Sequence, residues 1–172
     1  MIAVKPFGSI VLSLLVCAAA CSTFFTSCSK NNSGSVNDAG SFSATVSGTA
    51  YQSVVAGGEQ VSSANLFFLA GEAVISGDTV ELSITMQDSI ALNTAIPFDG
   101  YLTTLTYENL KTGLVYISES ASSTPGSVTI TSYSSAGQQI GGTFSGTIYN
   151  QSNVADSLVV TNGKFNINYA LD

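Results

Sequence analysis

The chain has 172 residues, enough for one domain with a hydrophobic core behind a short N-terminal segment. It carries four cations against eleven carboxylates, has a net charge of −7 and contains no histidine. Nucleic-acid binding depends on lysine and arginine neutralising phosphates, so this composition excludes nucleic acid as a partner. The absence of histidine also removes the usual base of serine and cysteine hydrolases and the commonest zinc ligand.

Residues 1–27 are predicted to be a lipoprotein signal peptide. Lys5 supplies a positively charged start, and residues 10–20 form an apolar stretch. The apolar run over residues 10–25 already contains serine and threonine, and it is shorter than the roughly 20 residues that a transmembrane helix needs. We therefore expect a cleaved signal rather than a membrane span.

The three cysteines all lie near this segment, which argues against a disulfide framework in the domain. Cys28 follows the small residue Ser27 and precedes a Ser-, Asn- and Gly-rich stretch, so we predict that Cys28 is lipidated; Cys21 is the alternative. Residues 28–40 then form a flexible tether and residues 41–172 a β domain. A lipid anchor predicts an outer-membrane lipoprotein of the cell envelope, facing the periplasm or the cell surface.

From Ser41 onward the hydrophobic pattern has a period of two. Phe42, Ala44 and Val46 alternate with serine and threonine, and residues 80–86 alternate in the same way. Residues 56–64, which contain Gly57 and Gly58, are predicted to be a loop. Asn162-Gly163 is predicted to turn a hairpin between strands at 157–161 and 164–169, because both residues tolerate the positive φ of a type I′ turn.

The whole pattern predicts nine or ten short strands and no helix after Cys28. Such a chain folds as an antiparallel β-sandwich or, alternatively, as an up-and-down, lipocalin-like β-barrel. If the fold is a barrel, Phe67, Leu69, Phe144 and Phe165 are candidates for lining an apolar cavity.

Four segments together resemble a known family. Residues 42–51 (FSATVSGTAY) are similar to the F-x-A-x-V-N-G-x-x-W/Y opening of small β-rich lipoproteins of the Bacteroidota type. Residues 128–131 (VTIT), 142–147 (GTFSGT) and 161–165 (TNGKF) resemble the closing segments of that family. Ser47 and Tyr51 stand where the family usually has Asn and often Trp. The resemblance implies a β fold and an envelope location, and it carries no catalytic residue.

Carboxylates are the remaining candidates for chemistry. Glu72 with Glu81, or Asp99 with Glu108, would meet across strands if the protein were a glycosidase. Exposed acids also keep β-proteins soluble and block edge pairing, and we favour this interpretation. Asp78 and Asp99 are single acids at turns, which turn chemistry explains without calcium. We therefore expect no enzyme activity, no catalytic residues, no metal and no cofactor.

Two groups of residues are candidates for recognition or modification. Tyr107, Tyr116, Tyr133 and Tyr149 are candidates for a ligand-binding face, although tyrosine is also an ordinary strand residue. Thr79, Ser89 and Ser157 each follow an aspartate and precede an apolar residue. These tripeptides resemble O-glycosylation acceptors of Bacteroidota-type exported proteins, and an acid at a turn before a strand explains them equally well.

The sequence as a whole predicts a lipid-anchored envelope protein with a non-catalytic binding or structural role. The anchor makes the membrane one partner, and a glycan or another envelope protein is a candidate second partner. Two alternatives remain open, a carrier of a hydrophobic ligand in a lipocalin-like barrel and a carboxylate-based hydrolase.

Overall fold

The structure, a computed structural model, describes residues 40–118 and 126–172. In these residues the chain forms β-strands and no helix, so the all-β class predicted from the sequence is confirmed. The strands are β1 (Ser41–Val46), β2 (Thr49–Gln52), β3 (Val55–Val61), β4 (Leu66–Ile75), β5 (Asp78–Gln87), β6 (Ala95–Pro97), β7 (Thr104–Asn109), β8 (Leu114–Ile117), β9 (Ser127–Ser134), β10 (Gln139–Asn150) and β11 (Asn153–Leu171).

All eleven strands belong to one sheet, in the order β2-β1-β11-β3-β4-β5-β7-β8-β10-β9-β6 with a further pairing between β11 and β10. Neighbouring strands run antiparallel, with one exception that makes the sheet mixed. The exception is β3 with β11, where residues 58–60 pair in parallel with residues 169–171. Because β11 pairs with β10 as well as with β1 and β3, the pairings close a circuit from β3 through β4, β5, β7, β8, β10 and β11.

Strand β5 illustrates why these sequences form strands. Val80, Leu82, Ile84 and Met86 are at most 1% exposed, and the residues between them point the other way. This alternation places one face of β5 in the core, while on the other face Ser83 is buried and Glu81 and Thr85 are half-buried. Burying each apolar side chain contributes roughly 1.5–3 kcal/mol, so the pattern stabilises the strand through its packing.

The sheet folds back so that distant strands face each other across one core. Tyr51 of β2 accepts a hydrogen bond from the Leu82 N–H of β5 at 3.1 Å, although β1, β11, β3 and β4 separate these strands in the sheet order. The Tyr51 hydroxyl also donates to the Gly71 carbonyl of β4. These contacts bring β2 against β4 and β5 across the core, which agrees with a β-sandwich-like all-β fold.

Aromatic side chains fill part of this core. The Phe42 ring centroid lies 5.0 Å from that of Phe144 and 5.9 Å from that of Phe165. Phe67, Leu69, Phe144 and Phe165, the candidates for a cavity lining, are 0–4% exposed and belong to this packed core.

The prediction of a loop over residues 56–64 is wrong for most of that range, because β3 occupies Val55–Val61. Gly58 lies in this strand because a side chain at this position would not fit between the neighbouring strands. A Cβ atom there would lie 2.7 Å from Leu69 Cδ2 and 2.9 Å from the Phe68 carbonyl oxygen. The glycine that suggested a loop instead allows β3 to pack closely against β4 and β11.

The prediction of a hairpin at Asn162-Gly163 is also wrong, because β11 continues through both residues. The register with β1 and with β10 shifts at this point, so β11 contains a β-bulge. Asn162 has a φ of 54°. Asparagine adopts this left-handed conformation in β-bulges as well as in turns. A Cβ atom on Gly163 would lie 2.5 Å from the Phe144 carbonyl oxygen, so the bulge also requires a glycine.

The predicted signal peptide, the tether up to residue 39 and both candidate lipidation sites, Cys28 and Cys21, lie outside the described residues. Within residues 40–118 and 126–172 no helix is long and apolar enough to cross a membrane.

Candidate functional site

One outer face of the sheet is built from hydroxyl and amide side chains. It crosses β9, β10, β11, β1 and β2, and its members point outward because they alternate with buried residues. We call this surface the hydroxyl-amide face; it consists of Ser41, Ser43, Thr45, Gln52, Ser127, Thr129, Thr143, Ser145, Thr161, Asn162, Lys164 and Asn166.

The strand register arranges this face in rows. Thr129, Thr143, Lys164, Ser43 and Gln52 are successive cross-strand partners on five neighbouring strands. Strands lie about 4.8 Å apart, so this row is roughly 20 Å long. The face therefore presents hydrogen-bonding groups at regular intervals, each held by a strand whose other side is anchored in the core.

A depression of about 280 Å³ lies in this face at the β11 bulge. Its rim consists of polar side chains, and the buried residues Phe144 and Gly163 form its floor. The rim residues are Ser127, Thr129, Thr143, Ser145, Asn162 and Lys164. At the bulge, two residues of β11 face one residue of each neighbour, which re-aims the Asn162 side chain and separates the rows on either side.

Lys164 is the charged member of the hydroxyl-amide face. Its side chain is exposed, and no described carboxylate lies within ion-pair distance of its ammonium group. Lys111, the other lysine in the described part of the chain, differs because its Nζ lies 2.6 Å from Asp78 Oδ1. The hydroxyl-amide face thus has a positive centre in a chain whose net charge is −7.

A second outer face, over β4, β5 and β7, concentrates acids. Glu81 is the direct cross-strand partner of both Glu72 and Glu108, and we call these three half-buried residues the acidic row. Burial, followed by the charges of Glu108 and Glu72, raises the pKa of Glu81 to about 7, although a hydrogen bond with Ser83 opposes the shift. At a pH near 7, Glu81 is therefore protonated in about half of the molecules.

The acidic row contains one of the two carboxylate pairs considered from the sequence. Glu72 and Glu81 do meet, whereas Asp99 lies in the loop after β6 and Glu108 faces Glu81 instead. The expectation that these acids are freely exposed is wrong for the acidic row, because its members are half-buried between neighbouring side chains. In the described residues no group of three or more His, Cys, Asp or Glu is arranged to hold a metal ion.

Asp99 has a structural role in the loop between β6 and β7. Its Oδ1 accepts hydrogen bonds from the backbone N–H groups of Tyr101, Leu102 and Thr103, each at 2.8 Å. Burial opposes ionisation of Asp99, but these donors outweigh it and lower the pKa of its carboxyl group. The loop holds Tyr101 in an exposed position, with 82% of its surface accessible.

Tyr107 and Tyr116 of the candidate ligand face meet at the core side of β7 and β8. Their ring centroids are 6.2 Å apart in an edge-on arrangement. The Tyr116 hydroxyl donates to Asp156 Oδ2 at 2.7 Å, and Asn150 Nδ2 donates to the same oxygen at 3.0 Å. The hydrogen bond to Asp156 raises the pKa of Tyr116, a side chain that is only 6% exposed.

The other two tyrosines lie elsewhere. Tyr133 stacks on Tyr169 with ring centroids 6.3 Å apart, and each of these rings makes a T-shaped contact with Phe67. Tyr149 is half-buried on β10, where its cross-strand partners are Ile117 and Ser157. The structure therefore divides the four tyrosines into three separate places instead of joining them in one face.

Thr79, Ser89 and Ser157, the candidate O-glycosylation residues, are all exposed. The aspartate before each has a hydrogen-bonding partner on another segment: Asp78 pairs with Lys111, Asp88 accepts from Gln60, and Asp156 accepts from Tyr116. These aspartates are structural, while the hydroxyl groups beside them face solvent.

The sequence did not single out the hydroxyl-amide face or the depression. Serine and threonine at alternate positions indicate a wet strand face, but they do not reveal which strands become neighbours. Here the neighbours include β1 and β11, whose partners are more than a hundred residues apart in the chain. The one available signal was Asn162-Gly163, which marked an unusual backbone but was interpreted as a hairpin turn.

Comparisons with known proteins identify one family. A search of curated proteins and a search of solved structures gave no match to this chain. The profile of a family described as a domain of unknown function, DUF5025, matches residues 83–168. The matched segment runs from within β5 into β11 and includes every residue that lines the depression. Because the match covers half of the sequence, the chain belongs to the DUF5025 family.

Proposed function

We propose that this protein is a lipid-anchored envelope protein with a non-catalytic binding role, and that the hydroxyl-amide face is its binding surface. The observation that carries the proposal is the row of hydrogen-bonding side chains beside a depression of about 280 Å³. The rim donates and accepts hydrogen bonds through hydroxyl and amide groups, which bind polar ligands without reacting with them.

A glycan is the partner that best suits this surface. Sugar hydroxyl groups both donate and accept hydrogen bonds, as serine, threonine and asparagine side chains do. The strands hold these side chains in fixed positions, which reduces the entropy lost on binding. A row roughly 20 Å long, estimated from the strand spacing, would contact several consecutive sugar units.

A protein partner in the envelope is the alternative, and the composition of the face makes it the weaker candidate. Protein interfaces are usually built around aromatic and apolar residues. The hydroxyl-amide face consists instead of hydroxyl, amide and ammonium groups.

The binding role is tested with the recombinant protein and an immobilised panel of neutral and acidic polysaccharides. T143E introduces a charge and a larger side chain into the rim of the depression and should abolish binding. T79E places the same substitution at an exposed threonine of β5, away from the face, and should leave binding unchanged. Equal loss in both variants, or no binding of the wild-type protein to any polysaccharide, would refute the role assigned to this face.

The lipid anchor is proposed at Cys28. The tether of residues 28–40 would extend at most about 45 Å, so the domain would stay close to the membrane surface. In the natural host, C28A should release the protein from the membrane fraction, while C21A should leave it attached. Release by C21A alone would assign the anchor to Cys21 instead.

We also propose that Thr79, Ser89 and Ser157 carry O-linked glycans. Their exposed hydroxyl groups support the proposal, because a transferase must reach the acceptor. The intact mass of the natively expressed protein should exceed the mass of the lipidated chain by whole sugar units, and the excess should fall in the triple alanine variant. A native mass equal to the lipidated chain alone would exclude this modification.

A further inference from the structure

We infer that the depression at the β11 bulge is a subsite for the carboxylate of an acidic saccharide, with Lys164 as its charged partner. This inference rests on the proposed binding role of the hydroxyl-amide face and names the class of ligand that the face takes. A uronate-containing glycan, in which a sugar ring carries both hydroxyl groups and a carboxylate, has the matching chemistry.

The first support is the geometry of the depression. Thr129, Thr143 and Lys164 are direct partners across β9, β10 and β11, and all three line the depression, so the lysine side chain leaves the sheet beside two threonine side chains. Asn162, which has a φ of 54° at the bulge, lines the same depression. A carboxylate bound to Lys164 would leave the ring hydroxyls of the same sugar within reach of these neighbours.

The second support is the distribution of charge. The acids of the described β-strands lie at Glu59, in the acidic row and at Asp78 and Asp156, none of which lines the depression. Lys111 is already paired with Asp78, whereas Lys164 has no described carboxylate within ion-pair distance. An anion in the depression therefore meets Lys164 and no carboxylate of the described strands, and an ammonium–carboxylate hydrogen bond is stronger than one between neutral groups.

The third support is size. Pockets that enclose whole small-molecule ligands are about 300–1,000 Å³, and this depression of about 280 Å³ falls at the lower limit. It is open to the row of side chains on either side. The depression thus suits one charged unit of a longer chain, while the rest of the chain follows the row.

The test uses the full chain and two forms of one polymer, polygalacturonate and its methyl ester. The ester removes the negative charge and keeps the sugar backbone, so the pair isolates the contribution of the carboxylate. K164Q removes the ammonium group from the depression, and K111Q is the matched control at the other described lysine. Affinities are measured by calorimetry at two salt concentrations.

Wild-type protein should bind polygalacturonate, and K164Q should bind it about tenfold more weakly, which corresponds to about 1.4 kcal/mol. K111Q should bind within about twofold of the wild type, because exposed charges far from the ligand are screened by salt. High salt screens both the attraction between Lys164 and the carboxylate and the repulsion between the polymer and a chain of net charge −7, so the difference in affinity between wild type and K164Q should shrink as the salt concentration rises.

Two results would overturn the inference and separate it from the binding role itself. If the methyl ester binds as tightly as the acid and K164Q binds as tightly as the wild type, the proposed carboxylate subsite is wrong. In that case, loss of polymer binding in T143E would still support the hydroxyl-amide face as the binding surface. If neither polymer binds, the inference fails, and the wider polysaccharide panel decides whether the binding role fails with it.

Discussion

Glu81 allows the sharpest prediction about stability. Its ordinary pKa of 4.5 rises to about 7 in the folded protein, so ionising it costs more in the folded than in the unfolded state. The contribution of Glu81 to the free energy of unfolding is fully present below pH 4.5, where Glu81 is protonated in both states. It is lost as the pH rises through 7. A difference of this size corresponds to about 3 kcal/mol of unfolding free energy. E81Q removes the ionisation and should recover most of that amount at pH 8.

The assay is urea denaturation of wild type and E81Q at pH 4.5, 6, 7 and 8. The two proteins should be similarly stable at pH 4.5, and E81Q should be about 2–3 kcal/mol more stable at pH 8. With a typical urea dependence of about 2 kcal/mol per molar, the midpoint would shift by roughly 1 M. E59Q is the matched control, because Glu59 lies on the same outer face opposite Phe68 instead of a carboxylate.

A difference between E81Q and wild type that does not change with pH would refute the reasoning. So would a stabilisation at pH 8 of equal size in E59Q, since it would indicate a general effect of net charge. Substitutions of Glu72 and Glu108 provide a further check on the cause of the raised pKa of Glu81. Removing the charge of Glu108 should lower the pKa of Glu81 more than removing that of Glu72, because Glu108 makes the larger contribution to the shift.

Two further substitutions test the packing. Y51F removes a buried hydroxyl that satisfies one carbonyl of β4 and one N–H of β5, and it should cost about 2–3 kcal/mol in urea denaturation, while Y101F at an exposed tyrosine should be neutral. G163A places a Cβ atom 2.5 Å from the Phe144 carbonyl oxygen and should destabilise the protein by about 2 kcal/mol or more, while G57A, with no atom within 4 Å of the added Cβ, should be tolerated. A stable Y51F or G163A would contradict the assigned contacts.

The class of fold could be predicted because it depends on local periodicity. Alternation in segments such as residues 80–86 requires a half-buried strand, whatever the neighbouring strands are. The core residues followed from the same pattern. Pairing between β11 and its three partners could not be read in this way, because it depends on which distant faces complement each other.

The errors in the prediction share one cause. Gly58 was interpreted as part of a loop and Gly163 as part of a hairpin turn, since glycine adopts conformations that other residues avoid. In the structure both stand where a side chain would collide with a neighbouring strand, so they mark close packing within strands. A single sequence does not distinguish these two uses of glycine.

The candidate site shows the same limit. The four candidate tyrosines were selected as single residues, yet they lie in three places, and Tyr107, Tyr116 and Tyr133 belong to the core or pack against it. The hydroxyl-amide face is made of common residues, and its character arises only when β9, β10, β11 and β1 lie side by side. The sequence does not show that Lys164 lies apart from the acids of the described strands, because that separation depends on the strand order.

The most direct test of the binding surface is hydrogen–deuterium exchange of the full chain with and without polygalacturonate. The polymer should slow exchange in β9, β10 and the part of β11 that contains residues 161–166, and should leave β5 unchanged. Slower exchange confined to β4, β5 and β7, or no change in β9 to β11 while the polymer is bound, would contradict the assignment of the hydroxyl-amide face as the binding surface.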